Sequence, residues 1–529
     1  MDNASAVNYR TVKEETSVPR RTSRILALSA TLVTGSVLTS LPAHAVSGGT
    51  TVPTGTSGYL ARVSTPTKAC SAALIDPSWV ITSKGCLTAD ANGAPTENAT
   101  ISVGAVDVST GAGTNAKVVR VVSRSDRDVA LAKLDKPATG ITPVALATTA
   151  PKNGDTLQLA GFGRTATEWV PARPSIASFS VSSVNATEVS ATSASGSDTC
   201  LGDSGGPALR TVGDKVEVVA VNSRSWQHGC LAVTETRQGS TEARVDDLAD
   251  WVRQNTVPTP VSCPNGAVIW DDLSDGNLYR HIHNDPANGT PSWTEPTKSS
   301  GNGWFGRPIA GKNGVIWDIH RSNGAGDPFG NGSLKMWKWD GTNLTGGKQV
   351  GDGWARYLTP EYQNRVTVDQ AGRIFMVDDQ GQLRVYIWDD AANWWVNGSG
   401  QVLDTGWTKY DSITGAGDGV LYARTPNGDL YRFQYDFAAA KWTQRDKLVG
   451  TGWNWFTGIF SPGADILYGR GSWGPSPWDG KNSPILRWYR YSANTDSWLP
   501  VNANGVSIAT GWNTDLHATA APDSCRLVP

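Results

Sequence analysis

One run has the composition of an acyl-transfer site: Asp198-Thr199-Cys200-Leu201-Gly202-Asp203-Ser204-Gly205-Gly206-Pro207. It sets a hydroxyl among acids and glycines, where a backbone can approach a ligand closely. A serine hydroxyl is a weak nucleophile at its own pKa and needs an adjacent base. Histidine is the usual base near neutral pH. The chain has only six: His44, His228, His281, His283, His320 and His517. Only His228 lies within residues 46–255. No His, Cys and carboxylate cluster has metal-ligand spacing, so neither a metal nor a cofactor is expected. The pair Asp389-Asp390 reads as a solvated turn.

The elements that must hold such a site are short strands. The 529 residues include 57 Gly, 29 Pro and 23 Trp, with 18% charged residues and a net charge of -2. That balance argues against nucleic acid, which needs a basic face. So much Trp argues against disorder. Residues 1–45 read as a secretory signal. Arg20, Arg21 and Arg24 precede a mildly apolar stretch from Ile25 to Leu41, and Ala43-His44-Ala45 gives a small-x-small cleavage pattern. The mature chain then has no apolar run long enough to span a membrane. Six cysteines, an even number, suit an exported protein. A secreted, extracellular protein is expected, by the general or the twin-arginine route.

Residues 46–255 are rich in Val, Ala, Ser and Thr with Gly, Pro and Asp breaks, a pattern of short strands. Val129–Ala132 and Val218–Val221 read as buried strands, and Asp246–Arg253 as a short helix. The run around Ser204 resembles the active-site loop of the trypsin/chymotrypsin family. Cys70–Ile75, Trp79–Cys86, Asp128–Leu131 and Ser225-Trp226 resemble further segments of it. The resemblance implies a two-barrel fold. It implies Ser204 as nucleophile, Asp128 as the triad carboxylate, and an oxyanion hole from the N–H groups of Gly202 and Ser204. It implies disulfides Cys70–Cys86 and Cys200–Cys230. It makes Asp198 the base of a specificity pocket bordered by Ser225, Trp226 and Gln227, suited to basic peptide segments. Cleavage after Ala45 would expose Val46, whose ammonium would pair with Asp203.

One member is missing. The family's catalytic His stands immediately before the second of the paired cysteines, and here that residue is Gly85. Lys84 is a neighbouring candidate base, but would have to be desolvated. Without a base, proteolysis should be weak or lost.

Residues 256–262 read as a Pro-containing linker, and 263–529 as a repeat domain. Trp304, Trp354, Trp407, Trp453 and Trp512 each follow a glycine. Leu278, Leu334, Leu383, Leu430 and Leu486 open a second motif. Trp270, Trp317, Phe375, Tyr422 and Tyr468 mark a third. The three anchors recur in one cyclic order, about 50 residues per copy, which suits a four-stranded propeller blade. The last copy stops where the first begins, so the final strand completes the first blade and removes open edges. Cys263 and Cys525 sit at the two ends of this domain, and a disulfide across the closure is the economical pairing. The repeats resemble tachylectin-type five-bladed lectins, above all at Gly452–Gly463 and Ile466–Gly469. That resemblance implies glycan partners, with N-acetylated hexosamines as the known class. The Gly-Trp tryptophans are the candidate sugar contacts, because indole faces stack on sugar rings. The whole reads as all-β: a two-barrel trypsin-like domain followed by a five-bladed β-propeller. It is either a weakened serine endopeptidase targeted by its propeller or a fully non-catalytic pseudoprotease-lectin.

Overall fold

The computed structural model describes residues 46–91, 93–321, 332–471, 485–500, 504–512 and 515–528. The candidate signal, residues 1–45, lies outside the described residues. Two closed six-stranded barrels come first. In one, the strands run in the order Leu60–Ser64, Ala69–Asp76, Trp79–Thr82, Ala130–Leu134, Thr114–Ser123 and Thr100–Val103. In the other, the ring is Thr156–Gly161, Ser175–Val184, Glu188–Thr192, Ser240–Arg244, Lys215–Ser225 and Pro207–Val212. Side-chain alternation drives this. Ser175–Val184 buries Ala177, Phe179 and Val181 and turns Ser178, Ser180 and Ser182 outward. Between the barrels, Leu60, Trp79, Ile81, Leu131, Leu209, Val221 and Leu248 form one apolar cluster. The loops bearing Asp128 and Ser204 precede strands on either side of it.

The short helix spans Ala249–Thr256, later than the pattern suggested. Asp246 is held outside it by a 2.7 Å ion pair with Arg244. Little of the expected linker is left free. Thr256 ends the helix, and Val261–Ser262 pair with Arg526–Leu527. Asn494, in a turn of the last blade, donates to the carbonyls of Gln254 and Val257 at 2.8 and 2.7 Å. From the first barrel, Arg120 donates to Asn494 O at 2.7 Å. Lys133 Nζ donates to Thr495 O and Asp496 O at 2.7 and 2.6 Å.

Five β-sheets then surround an axis. Their inner strands are Asp515–Ala520, Arg307–Ala310, Val366–Val368, Ser412–Gly417 and Phe456–Gly463, each packed beside the next. The first blade takes its inner strand from the far end of the domain: Asp515–Ala520 pairs with Ala267–Leu273. Cys263–Cys525 bridges that closure over a separation of 262 residues. Each Gly-Trp step turns the chain from an outer strand toward the next blade. Gly406 and Gly452 do so at φ 82° and 77°, where a side chain would be strained. Among the described residues, no helix is long and apolar enough to cross a membrane.

Candidate functional site

The loop around Ser204 is fixed from below. Ser71 N–H donates to Ser204 O at 2.9 Å, and Ser71 Oγ donates to Gly202 O at 2.9 Å. The glycines are sterically required: a Cβ on Gly205 would stand 2.0 Å from Thr82 Oγ1. Gly202 adopts φ 104°. The N–H groups of Gly202 and Ser204 donate to no acceptor among the described residues. They are therefore available to an incoming carbonyl oxygen. Cys70–Cys86 and Cys200–Cys230 are both formed, flanking this loop in the fold.

Across the barrel junction, Asp128 accepts three hydrogen bonds. Its Oδ2 accepts from Ser83 Oγ at 2.8 Å and from Ser223 Oγ at 2.7 Å. Its Oδ1 accepts from Gly85 N–H at 3.1 Å. Two hydroxyls and a backbone amide thus occupy the carboxylate that would orient an imidazole. Ser204 Oγ makes no hydrogen bond among the described residues. Lys84 is exposed, not desolvated, and does not reach the hydroxyl. His228 is anchored elsewhere: its Nδ1 lies 3.0 Å from Glu235 O.

The pocket residues form a second group. Asp198 is fully buried, and its Oδ2 accepts from His228 N–H at 3.0 Å. Burial raises its pKa. Ser225 Oγ donates to Thr199 O at 2.5 Å. Trp226 is exposed and covered by the Arg237 guanidinium, 3.7 Å from the ring centroid. Gln227, at φ 61°, is drawn aside by Arg164, which donates to its Oε1 at 2.8 Å.

Asp203 is buried among glycines. Gly163 N–H and Cys200 N–H each donate to it at 2.8 Å. A Cβ on Gly161 or Gly163 would collide with its carboxylate. No cation pairs with it among the described residues, and burial pushes it up to about 7. Val46 is also fully buried, packed with Leu157, Leu159 and Ala208, and Ser47 bridges Asp198.

In the propeller, the five Gly-Trp tryptophans are between 1% and 8% exposed. They pack chiefly as core between strands. Trp407 stacks near Phe433 at 4.6 Å, and Trp354 meets Tyr386 at 5.3 Å. Of the five, Trp453 lines a cavity of about 310 Å³, with Tyr489, Trp498 and Asn504. Another cavity, of about 340 Å³, is lined by Trp270, Arg280 and Trp339.

Comparison with known proteins follows the same division. A trypsin family model matches residues 46–252, and a tachylectin family model matches residues 273–516. The chain joins a trypsin domain to a tachylectin domain. No curated protein matches it. Among solved structures, it is similar to neuropsin, a serine protease expressed in the limbic system of mouse brain. That likeness has 19% identity and a TM-score of 0.33, covering 39% of this chain and 97% of the other.

Several residues of the trypsin domain were not singled out in the sequence. Ser71 and Ser83 sit inside runs that were recognised, but their contacts are long-range. Ser223 reaches Asp128 from a strand whose pairing shifts register between Asn222 and Arg224. Such a bulge re-aims a side chain without a sequence signature. Glu242 is fully buried, and its Oε2 finds no partner. Burial first, then the charges of Asp198 and Asp203, push it up to about 7. The trypsin domain therefore encloses three neighbouring carboxylates.

Proposed function

We propose that this is an exported glycan-binding protein whose trypsin domain retains an oxyanion hole but has lost general-base catalysis, so that proteolysis is weak or absent. One observation carries the reading. Asp128 is occupied by Ser83, Ser223 and Gly85, while Ser204 Oγ has no hydrogen-bond partner among the described residues. An unactivated hydroxyl leaves only substrate binding and the oxyanion hole to act. The two unengaged N–H groups support a residual rate, and their alignment with Ser204 favours a weakened peptidase over none.

Export is supported by the leader pattern and by three disulfides that leave no free cysteine. Cleavage after Ala45 would place a new ammonium at Val46, and Asp203 is a buried carboxylate with no paired cation among the described residues. Asp198 suits a Lys or Arg side chain. Glycan binding rests on the tachylectin domain and on its aromatic cavities, which have the volume and lining of small-ligand sites.

A serine-directed fluorophosphonate probe tests the catalytic half. Labelling of the mature protein should not rise above that of Ser204→Ala. Rapid, Ser204-dependent labelling would overturn the proposal and restore an active peptidase. A glycan array tests the other half, and binding to no glycan would remove it.

A further inference from the structure

The cavity between the first and second blades holds a guanidinium that makes no ion pair among the described residues. Arg280 lies on strand Asn277–Asp285, opposite Trp270. Its guanidinium stands 6.0 Å from the Trp270 ring and 5.4 Å from the Trp339 ring. Its Nε is buried without a partner, and no hydrogen bond or ion pair of Arg280 occurs among the described residues. Burial alone lowers its pKa, and no acid acts on it. A half-buried guanidinium with its donors idle is costly unless something else supplies an acceptor.

The matching arginine of another blade has its acceptor built in. Arg432 follows Leu430 as Arg280 follows Leu278, and faces Tyr422 as Arg280 faces Trp270. At that interface Arg432 makes a bidentate pair with Asp465, Nε to Oδ1 at 2.8 Å and Nη2 to Oδ2 at 3.0 Å. Both side chains are 2% exposed. Tyr422 also donates to Asp465 Oδ1 at 2.6 Å. Tyr491 completes that site, 6.0 Å from Arg432, in the repeat position of Trp339. Asp465 immediately precedes Ile466. The residue that immediately precedes the matching Val315 is Gly314, on the wall of the open cavity. The remaining blades carry Met336, Val385 and Trp488 at the arginine position. So one interface pairs arginine with a carboxylate, whereas the other sets arginine beside a space of about 340 Å³ whose acid, Asp523, accepts from Asn313 and makes no ion pair with Arg280 among the described residues.

We propose that this cavity binds the carboxylate of an acidic sugar, a sialic or uronic acid, with Arg280 making the bidentate contact that Arg432 makes with Asp465. The proposal rests on the reading of the tachylectin domain as glycan-binding, and it assigns one site per chain. Planar guanidinium and carboxylate match in geometry. The indoles of Trp270 and Trp339 supply apolar faces. Asp523, whose Oδ2 accepts from Asn313 N–H at 2.7 Å, offers a hydrogen-bond acceptor to sugar hydroxyls.

Calorimetric titration of the full-length protein with N-acetylneuraminic acid, glucuronic acid, glucose and N-acetylglucosamine tests this. Glucuronic acid should bind at least ~10-fold tighter than glucose, since an ion-paired hydrogen bond contributes about that factor. Arg280→Gln should abolish the preference. Gly314→Asp should abolish it too, by installing the chain's own carboxylate. Asp465 holds the same left-handed backbone, φ 58° against 76° at Gly314, so this variant should fold, with a somewhat lower melting temperature because a Cβ there is strained and would stand 3.2 Å from Trp339 O. Acids binding no tighter than neutral sugars would overturn the inference, as would unchanged acid binding in both variants. Neutral sugars bound without acid preference would sink this inference alone, whereas no sugar bound at all would sink the glycan reading with it.

Discussion

At the scale of residues, position 85 carries a glycine where the proposed loss of catalysis places the missing base. A Cβ on Gly85 would meet only Ser83 Oγ, at 3.5 Å, and the backbone is not left-handed. Gly85→His should therefore fit and compete with Ser83 for Asp128. Turnover of Arg and Lys arylamides should rise by ~10² to 10⁴, the scale of a triad member's contribution. Unchanged turnover would place the defect elsewhere, in the pocket or the oxyanion hole. The buried acids give a pH prediction. Asp203 and Glu242 are both held at about 7 in the folded state, above their unfolded values. The folded state then binds more protons, so stability is fully present below the ordinary carboxylate range and is lost as pH rises through about 7. Thermal melting of a chain that retains residues before Val46 should decline across that window. Melting of the chain cleaved after Ala45 should decline less, because an ammonium would hold Asp203 ionised at lower pH. Equal slopes would argue against the pairing. Ser204, Asp128 and the missing base were legible because each lies within a contiguous motif. Ser223 and Glu242 were not, because they act across strands and through a bulge.

Among elements, the ring of blades depends on one strand borrowed across the whole domain. Cys263–Cys525 constrains the unfolded chain over that long loop. Its removal should destabilise the propeller by up to about 5 kcal/mol in the chain-entropy model. Calorimetry of a Cys263→Ser, Cys525→Ser variant should show the propeller transition falling while the trypsin-domain transition stays put. A coincident fall would mean that the two domains unfold as one unit. The blade count, cyclic order and closure were legible because three anchors recur five times. The sugar contacts were not. A feature repeated in every blade is selected by packing as readily as by a ligand, and the Gly-Trp indoles are largely core. The informative positions were those where the repeat breaks, as at Gly314.

For the whole molecule, one turn of the last blade touches both the linker and the first barrel. Asn494 grips the linker through Gln254 and Val257, and Arg120 and Lys133 of the first barrel cap the carbonyls of Asn494, Thr495 and Asp496. Burial brings Lys133 down to about 8, a sign of how far this contact is desolvated. The combined Lys133→Ala, Asn494→Ala variant should free the domains. Small-angle scattering should then report a larger radius of gyration, and residues 257–260 should become cleavable by added protease. An unchanged scattering profile would show that other contacts fix the arrangement. None of this was visible in a stretch that reads as a Pro-containing spacer, because its partner lies more than 200 residues away in sequence. The borrowed strand also sets an order of events during synthesis. The trypsin domain can close as soon as residue 252 or so has emerged from the ribosome. The propeller cannot, since the inner strand of its first blade is residues Asp515–Ala520. Throughout translation of the intervening repeats, strand Ala267–Leu273 is an unpaired edge waiting for its partner. Messages or cleavages that stop short of that strand would leave a finished trypsin fold attached to an open, adhesive propeller.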